Sequence, residues 1–528
     1  MEAAACDAKG ADGLGITAQR SPLPPPRPRP RTIAYVTHPL VALQNFAQHV
    51  AQHAMKPIRC LVTDALCDAL GLFDDDDDDD DEPQPQQPVP SDPGAPLSAP
   101  RSLPPEPVSS QSSIVVVVKA EPPSADDDGE GHHRGGGGDR VAVKPVGEGG
   151  PQVTSTTSTG AGKSRRCVIR PFVPPLLTVS DLMVFHEPAY LRCLTEYSKH
   201  TWDKLPLPST PPPAAPFSAD CPLMDGLIEY SLAVASGSVA AAVLLNRRAV
   251  EAAIHWGGGM HHAQAGECAG FCYVNDCVLA ILKLLEVHSR VLYVDLDVHH
   301  GDGVEAAFYT TDRVVTLSLH KFAEGFFPGT GFTTDIGVEA GRYCSFNVPL
   351  LDGVDDSHYV PLFESCYDAI VAAFEPNAIV LQCGADSLAG DRVGPFNLSS
   401  AGHAACVRHV VHTALPTLYL GGGGYTVRNV ARLWAAETCV IAGRTVAPEV
   451  PSETELRRQG KQETADALYE FFLPTGEAML VCAEQVPLHP PPPSTDWLRL
   501  CGDAIGMVKE QCELLRRQRL RRQLALPK

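Results

Sequence analysis

VLYVDLDVHHGDG, residues 291–303, decides how this chain folds. The run Val291–Val294 is apolar, β-branched and too short to favour a helix, so the stretch 291–297 reads as a buried strand. Asp295, Asp297, His299, His300 and Asp302 crowd its end. Five ionisable groups at one strand end are costly unless they are paired. In open α/β sheets, ligands bind outside the carboxyl ends of the strands. Asp297 and His299 lie two apart and share a face in an extended chain, which makes Asp-x-His a compact pair of metal-ligand types.

Three more runs end the same way. VLQCGAD (380–386) closes on Asp386, TLYLGGGGY (417–425) on four glycines and Tyr425, and IHWGGGMHH (254–262) on His261 and His262. The strand-end rule brings all four termini to one edge of a sheet. Between them the pattern alternates: helix 303–309, strand 314–319, helix 359–374, strand 378–383, helix 399–413, strand 416–420, helix 427–441. Such alternation predicts a parallel sheet with helices on both faces. Thr32–Val36 (TIAYV) is a further strand and Gly226–Leu245 a buried Ala-rich helix. Thr178–Asp181 has the form of a capping box.

Asp297, His299 and Asp386 together supply two carboxylates and one imidazole. Three protein ligands with a fourth position open is the catalytic zinc arrangement. The same donors suit Fe²⁺ or Mn²⁺. Adjacent His261 and His262 diverge toward different partners. Asp295 and Asp302 remain to hold imidazoles in one tautomer, as a general base requires. Two His–Asp pairs beside a metal suit hydrolysis. Tyr425, after Gly421–Gly424, is a phenol able to donate to an oxyanion. No Lys-Ser/Thr follows the glycines, which argues against a phosphate loop.

The 528 residues carry a net charge of −21, which argues against broad nucleic-acid binding through a basic face. Between Asp74 and Arg166 there are 18 acidic and 8 basic residues, a net of −10, so the rest is less acidic than the total implies. The 17 Cys form no C-x-x-C pair and suit a reducing compartment. No apolar run approaches the ~18–20 residues of a membrane span, and the N-terminus lacks the apolar core of a signal peptide, so a soluble intracellular protein is expected.

The expected organisation is a disordered Pro/Arg-rich tail at 1–31, a domain at 32–445 interrupted by an acidic low-complexity insertion at 74–166, and an extension at 446–528. The insertion cannot bury enough apolar surface to offset its ordering entropy. Residues 205–216 are Pro-rich and read as a loop. Val118–Glu121 fits the ψ-K-x-E pattern of a SUMO acceptor at Lys119, a pattern also met by chance. The basic LLRRQRLRRQ near the C-terminus, within a helix over 496–523, reads as a nuclear address or as the solvated face of that helix. Lys163–Arg166 is a weaker second address.

The chain resembles the class I zinc-dependent histone deacetylases. The matching stretches are GFCYVND (270–276), YVDLDVHHGDGVE (293–305), SLHKFAEGFFPGTG (318–331), GRYCSFNVPL (341–350), LQCGADSLAGDR (381–392) and LGGGGYTVRNVARLW (420–434). The resemblance implies an arginase/deacetylase-type α/β fold with a central eight-stranded parallel sheet. It implies that Asp297, His299 and Asp386 bind one Zn²⁺. His262 would be the general base beside His261, with Asp302 orienting His262 and Asp295 orienting His261. Tyr425 would polarise the amide carbonyl. Gly270, Phe271 and Phe327 would wall a tunnel for the acetyl-lysine stem, Val393 would line the pocket, and Asp220 would hold the substrate backbone.

Two K⁺ sites are also implied, one at Asp295, Asp297, His299, Ser318 and Leu319, the other at Phe308, Thr311 and Val314. Lys56, Arg392 and Arg428 match residues that contact an inositol phosphate at a corepressor interface. Acetylated histone tails and corepressor subunits are the implied partners. Neither sequence-specific nucleic-acid binding nor membrane association is implied. The implied location is nuclear, with the cytoplasm as a second one.

Several positions depart from the family pattern: HAMKPIR (53–59), His255 for Asn, Gln264-Ala265 for a Lys pair, and Val393-Gly-Pro395 for Leu-Gly-Cys. They bear on selectivity and partners rather than on the reaction. Two other readings fit the same residues. One is a low-activity scaffold for acetylated tails or corepressors, and the other a deacylase of polyamines or other non-histone substrates.

Overall fold

Apolar runs that end in ionisable residues become the strands of a single parallel sheet. The computed structural model describes residues 32–38, 56–73, 167–202, 217, 220–222, 226–474, 477–479, 489 and 494–525. The Pro/Arg tail, the acidic insertion with Lys119 and Lys163–Arg166, and the Pro-rich 205–216 lie outside the described residues. The strands are β1 (Thr32–Val36), β2 (Val168–Phe172), β3 (Ala252–His255), β4 (Val291–Asp295), β5 (Val314–Lys321), β6 (Ser345–Leu350), β7 (Ala378–Gln382) and β8 (Thr417–Leu420). They pair in the order β2-β1-β3-β8-β7-β4-β5-β6, all parallel. This is the eight-stranded α/β architecture expected.

The helices are α1 (Ile58–Ala69), α2 (Pro188–Trp202), α3 (Leu227–Asn246), α4 (Asp276–Leu284), α5 (Asp302–Phe308), α6 (Asp356–Phe374), α7 (Ser400–Val411), α8 (Val427–Ile441), α9 (Glu453–Arg458), α10 (Gln462–Tyr469) and α11 (Ser494–Ala525). Every residue of β3, β4, β7 and β8 is buried. Strands covered on both faces read as unbroken apolar runs, which is why β4, β7 and β8 were visible in sequence. The Thr178 capping box forms, with its N–H donating to the Asp181 carboxylate at 2.7 Å, but it opens a 3₁₀ turn (Val179–Val184) before α2.

One sequence expectation needs correcting. Leu227–Asn246 is a 20-residue helix with a mean hydropathy of 1.7, long and apolar enough to cross a membrane by length and composition. Of that window, 72% is buried inside the fold, packed on β3, β1 and β8, as in the core helix of a folded domain. Gly237 on this helix makes room for His255, since a Cβ there would sit 2.3 Å from the imidazole. His255 Nδ1 lies 2.8 Å from the Val36 carbonyl oxygen. The departure from Asn at this position is thereby accommodated.

The polar composition after 446 conceals a packed segment. Ala504, Val508, Cys512 and Leu515 are buried on one stripe of α11 at helical spacing, and α11 lies along α6. Gln511 Nε2 donates to the Ser345 carbonyl of edge strand β6 at 2.6 Å. Arg519 donates to the Ala373 and Phe374 carbonyls at 2.5 and 2.7 Å, where the C-terminal dipole of α6 favours a cation. Arg522 pairs with Asp312. Part of the terminal basic run is therefore fastened to the domain.

Candidate active site

Strand ends assemble the site. The expected strand 291–297 stops two residues early, at Asp295. Asp295 Oδ1 accepts the Asp297 N–H at 3.1 Å, and Asp297 Oδ1 accepts the His299 N–H at 3.1 Å. Asp297 and His299 thus converge through turns closed by aspartate side chains, and not by alternation along an extended chain. Asp386 arrives on a 3₁₀ turn after β7, its Oδ1 accepting the Val298 N–H at 2.9 Å.

His299 Nδ1 lies 3.1 Å from both Asp297 Oδ1 and Asp386 Oδ2. One ligand atom from each of the three lies within 4.8 Å of the others, and all three residues are buried. One nitrogen facing two buried carboxylates leaves an excess of negative charge, which suits a cation. Burial and the Asp297 charge push Asp386 up to about 7. Burial also opposes ionisation of Asp297, but His261 and His299 outweigh it and hold that carboxyl well below its usual range. Gly384 and Gly423 give the carboxylates room, since a Cβ on either would lie 2.1 Å from Asp297 Oδ2 or Asp386 Oδ2 respectively.

Two histidine–carboxylate pairs flank the trio. His261 Nδ1 is 2.7 Å from Asp295 Oδ2, and His262 Nδ1 is 2.7 Å from Asp302 Oδ1. Asp276 aligns the preceding loop by accepting the Gly259 and Met260 N–H groups at 3.0 and 2.8 Å. Asn275 Nδ2 donates to the His261 and Ala263 carbonyls at 3.2 and 2.9 Å. Burial disfavours a charged His261, but Asp295 and Asp297 overcome it and lift the imidazole to about 9. Burial and the neighbouring His261 lower His262 to about 4.

Loop residues pack a glycine and two aromatic rings against these groups. Gly270 has φ +54°, and a Cβ there would lie 2.4 Å from the His262 ring, so both the backbone and the space call for glycine. Its N–H donates to Asp220 Oδ2 at 2.8 Å. Phe327 stands edge-on to His262 with centroids 4.8 Å apart, and Phe271 edge-on to Tyr425 at 5.9 Å. Tyr425 is 7% exposed, and burial raises its phenol well above the ordinary value. Val393, which the resemblance assigns to the pocket lining, is 43% exposed.

A family model described as "Histone deacetylase domain" matches residues 153–441, more than half of the chain. This chain belongs to the histone deacetylase family. "Histone deacetylase 6" of Arabidopsis thaliana is 52% identical over 272 residues, which are 51% of this chain and 57% of that protein. "Histone deacetylase HDAC1" of Drosophila melanogaster is 50% identical over 286 residues, 53% of each. "Histone deacetylase 1" of Homo sapiens is 55% identical over 232 residues, 44% of this chain and 48% of that protein. The identity to the HDAC1 proteins assigns it to class I. The chain spans about half the length of the relatives it matches.

Several residues of this site escaped sequence reasoning. Buried Arg59 donates to the Gly424 and Gly422 carbonyls at 2.7 and 2.9 Å and stacks over Trp434, fixing the glycine loop that carries Tyr425. Asp391 accepts the Tyr425 N–H at 2.8 Å. Gln382 Nε2 donates to Asp297 Oδ2 at 2.9 Å. Their contacts are with backbone groups or across strands, so no spacing announces them.

Of the residues matched to K⁺ sites, Asp295 and Ser318 are register partners on β4 and β5, and Leu319 follows Ser318. Phe308 ends α5, Thr311 donates its N–H to the Phe308 carbonyl at 3.2 Å, and Val314 opens β5. Arg428 pairs with Glu477, while Arg392 is exposed and Lys56 partly so.

Proposed function

We propose that this chain hydrolyses ε-acetyl-lysine in protein tails, releasing acetate and free lysine. The observation that carries the reading is the convergence of the Asp297–His299–Asp386 trio, two His–Asp pairs and Tyr425, with the Phe327 ring edge-on to His262 and the Phe271 ring edge-on to Tyr425. Asp297, His299 and Asp386 would hold the metal, zinc by family resemblance. When bound, it supplies Lewis acidity toward the amide carbonyl and toward water.

The chain's own groups do the rest. His262 is held with Nδ1 on Asp302, so its Nε2 is the position that accepts a proton from the attacking water. His262 is neutral at neutral pH, as a base must be. His261, held charged by Asp295 and Asp297, stabilises negative charge that develops nearby. The Tyr425 hydroxyl donates to the oxyanion of the tetrahedral intermediate. A histidine then returns a proton to the departing lysine amine. The apolar walls take the aliphatic stem and exclude water. Gly270 and Asp220 meet at the mouth, where Asp220 would hold the substrate backbone.

Acetylated histone tails are the proposed substrate, attracted as basic peptides by an acidic protein. We infer a role in chromatin repression in the nucleus with corepressor subunits. K⁺ at the two matched sites and an inositol phosphate at Lys56, Arg392 and Arg428 belong to the same proposal. The domain is taken as 32–445 around the 74–166 insertion, with 446–528 as an extension. The complete set of ligand and proton-handling groups favours turnover over a binding-only scaffold.

The test is deacetylation of an acetylated histone-tail peptide by the full chain, with and without a chelating hydroxamate. Hydroxamate-sensitive turnover that His262→Ala abolishes is expected. Metal-loaded protein that stays inactive even with corepressor and inositol phosphate supplied would overturn the reading.

A further inference from the structure

We propose that Gln264 is a positioning residue for the outer histidine–carboxylate pair, its side-chain amide holding Asp302 in the orientation from which Asp302 orients His262. This rests on the hydrolase reading and adds to it a residue at which the chain departs from the family pattern.

Gln264 Nε2 lies 3.2 Å from Asp302 Oδ2 and 3.4 Å from the His262 carbonyl oxygen. Both partners accept only, so the NH₂ end of the amide must face them. Asp302 Oδ1 is already committed to His262 Nδ1 at 2.7 Å. Gln264 therefore engages the other carboxylate oxygen, and at the same time the backbone of the histidine that the carboxylate serves.

The inner pair needs no such help. Asp295 accepts from the Tyr293 hydroxyl at 2.7 Å and the Asp297 N–H at 3.1 Å, besides meeting His261, and its side chain is 0% exposed. The Asp302 side chain is 17% exposed and sits at the first residue of α5. A carboxylate held through one oxygen can rock about its broad terminal torsion, and the imidazole would rock with it. A second bond to the other oxygen stops that rotation.

The loop beneath Gln264 is itself fixed. The Gln264 N–H donates to Glu267 at 2.9 Å, and the Ala265 carbonyl accepts the Glu187 N–H at 2.8 Å and faces His186 Nδ1 at 3.3 Å. The amide is thus anchored from behind. The residue type also matters. A lysine at 264 would bring a cation that competes with His262 for Asp302, whereas an amide donates without adding charge.

The experiment uses the full metal-loaded chain carrying Gln264→Leu, Gln264→Glu, Asp302→Asn or Gln264→Leu with Asp302→Asn. Three quantities are read: kcat and KM on an acetylated peptide, metal content, and the ¹H shift of the His262 Nδ1–H in ¹⁵N-histidine-labelled protein. Gln264→Leu is expected to lower kcat by about 5- to 30-fold, less than the full worth of a hydrogen bond to a charged group because the amide acts on His262 only through Asp302. KM should stay within about 2-fold, on the reasoning that positioning acts in the transition state. Metal content should be unchanged and the Nδ1–H signal should move upfield. Gln264→Glu should cost more, because it sets a second carboxylate against Asp302. In the Asp302→Asn background, Gln264→Leu should add less than about 2-fold.

Wild-type-like kcat in Gln264→Leu, or full additivity with Asp302→Asn, would overturn the inference while leaving the hydrolase reading intact. If the metal-loaded wild type does not turn over even with corepressor and inositol phosphate supplied, the hydrolase reading fails instead. The unmoved or moved Nδ1–H signal then still decides whether Gln264 positions the pair.

Discussion

His261–Asp295 and His262–Asp302 have the same 2.7 Å contact and opposite surroundings. The inner pair lies on the sheet edge with both side chains almost wholly buried, next to Asp297, and its imidazole is lifted to about 9. The outer pair lies at the start of α5 with Asp302 partly open, and its imidazole is lowered to about 4. The contact distance does not distinguish them. What distinguishes them is the charge each ring meets next. His261 meets Asp297, with its Nε2 3.8 Å from Oδ2, whereas His262 meets His261, with ring centroids 3.9 Å apart. Neighbouring titratable groups pushed apart in this way divide the labour between a charged partner and a neutral base.

Both pairs serve what the trio holds, so the largest effect should come from the trio. Asp386→Asn is expected to lose the metal and at least ~10³-fold in kcat/KM, equal to several kcal/mol of transition-state stabilisation. Metal analysis of the purified variant checks it, and full occupancy would count against Asp386 as a ligand.

Next, the comparison can be broken directly. His262→Ala removes the neutral base and should cost ~10²- to 10⁴-fold in kcat. His261→Ala removes a charge held beside Asp297 and should cost less. Equal losses would mean that the neighbouring charges do not separate the roles.

Tyr425→Phe stands apart from both pairs, because the phenol donates to the oxyanion and handles no proton in the resting site. A fall of about 10²- to 10³-fold in kcat is expected, with KM little changed. Its backbone should stay in place, since the Arg59, Asp391 and glycine-loop contacts do not involve the hydroxyl. Near-normal turnover would remove Tyr425 from the proposed chemistry.

The same contrast explains what could be read in advance. Ligand-type residues at the ends of β4, β7 and β8 were legible because ionisable groups interrupt apolar runs buried on both faces. β2 (VIRPF) and β6 (SFNVPL) were not read as strands. They are the edges of the sheet, and edges tolerate the Arg170, Pro171 and Asn347 that break an apolar pattern. Asp297 and His299 were expected to meet by strand alternation and instead meet through turns that their own side chains close. Arg59, Asn275, Asp276, Gln382 and Asp391 went unseen because their task is to bind backbone groups or a single distant oxygen. The stripe on α11 was hidden by the polar composition around it, although its spacing is helical.

A carboxylate held by two hydroxyls sharpens the comparison last. Asp302, beside His262, is held below its ordinary value although burial opposes this. Asp64 on α1 is packed against the Tyr35 hydroxyl at 2.5 Å and Thr37 Oγ1 at 3.2 Å. Among the described residues its donors are these two neutral hydroxyls, and burial pushes it up to about 6. The native state therefore keeps the Asp64 proton to higher pH than the unfolded chain, whose carboxyl titrates near 4. The destabilisation from its charge is absent below about pH 4, grows as pH rises, and is complete above about 6. Asp64→Asn keeps an oxygen for Tyr35 and is neutral throughout. Relative to wild type it should gain about 1–2 kcal/mol between pH 4.5 and pH 7.5, less than the full shift allows because the side chain retains some solvent contact. Urea midpoints of the two proteins at both pH values isolate Asp64, because every other titrating group is shared. A difference that does not change with pH would mean that the Tyr35 and Thr37 hydroxyls fully offset burial and leave the carboxyl at its ordinary value.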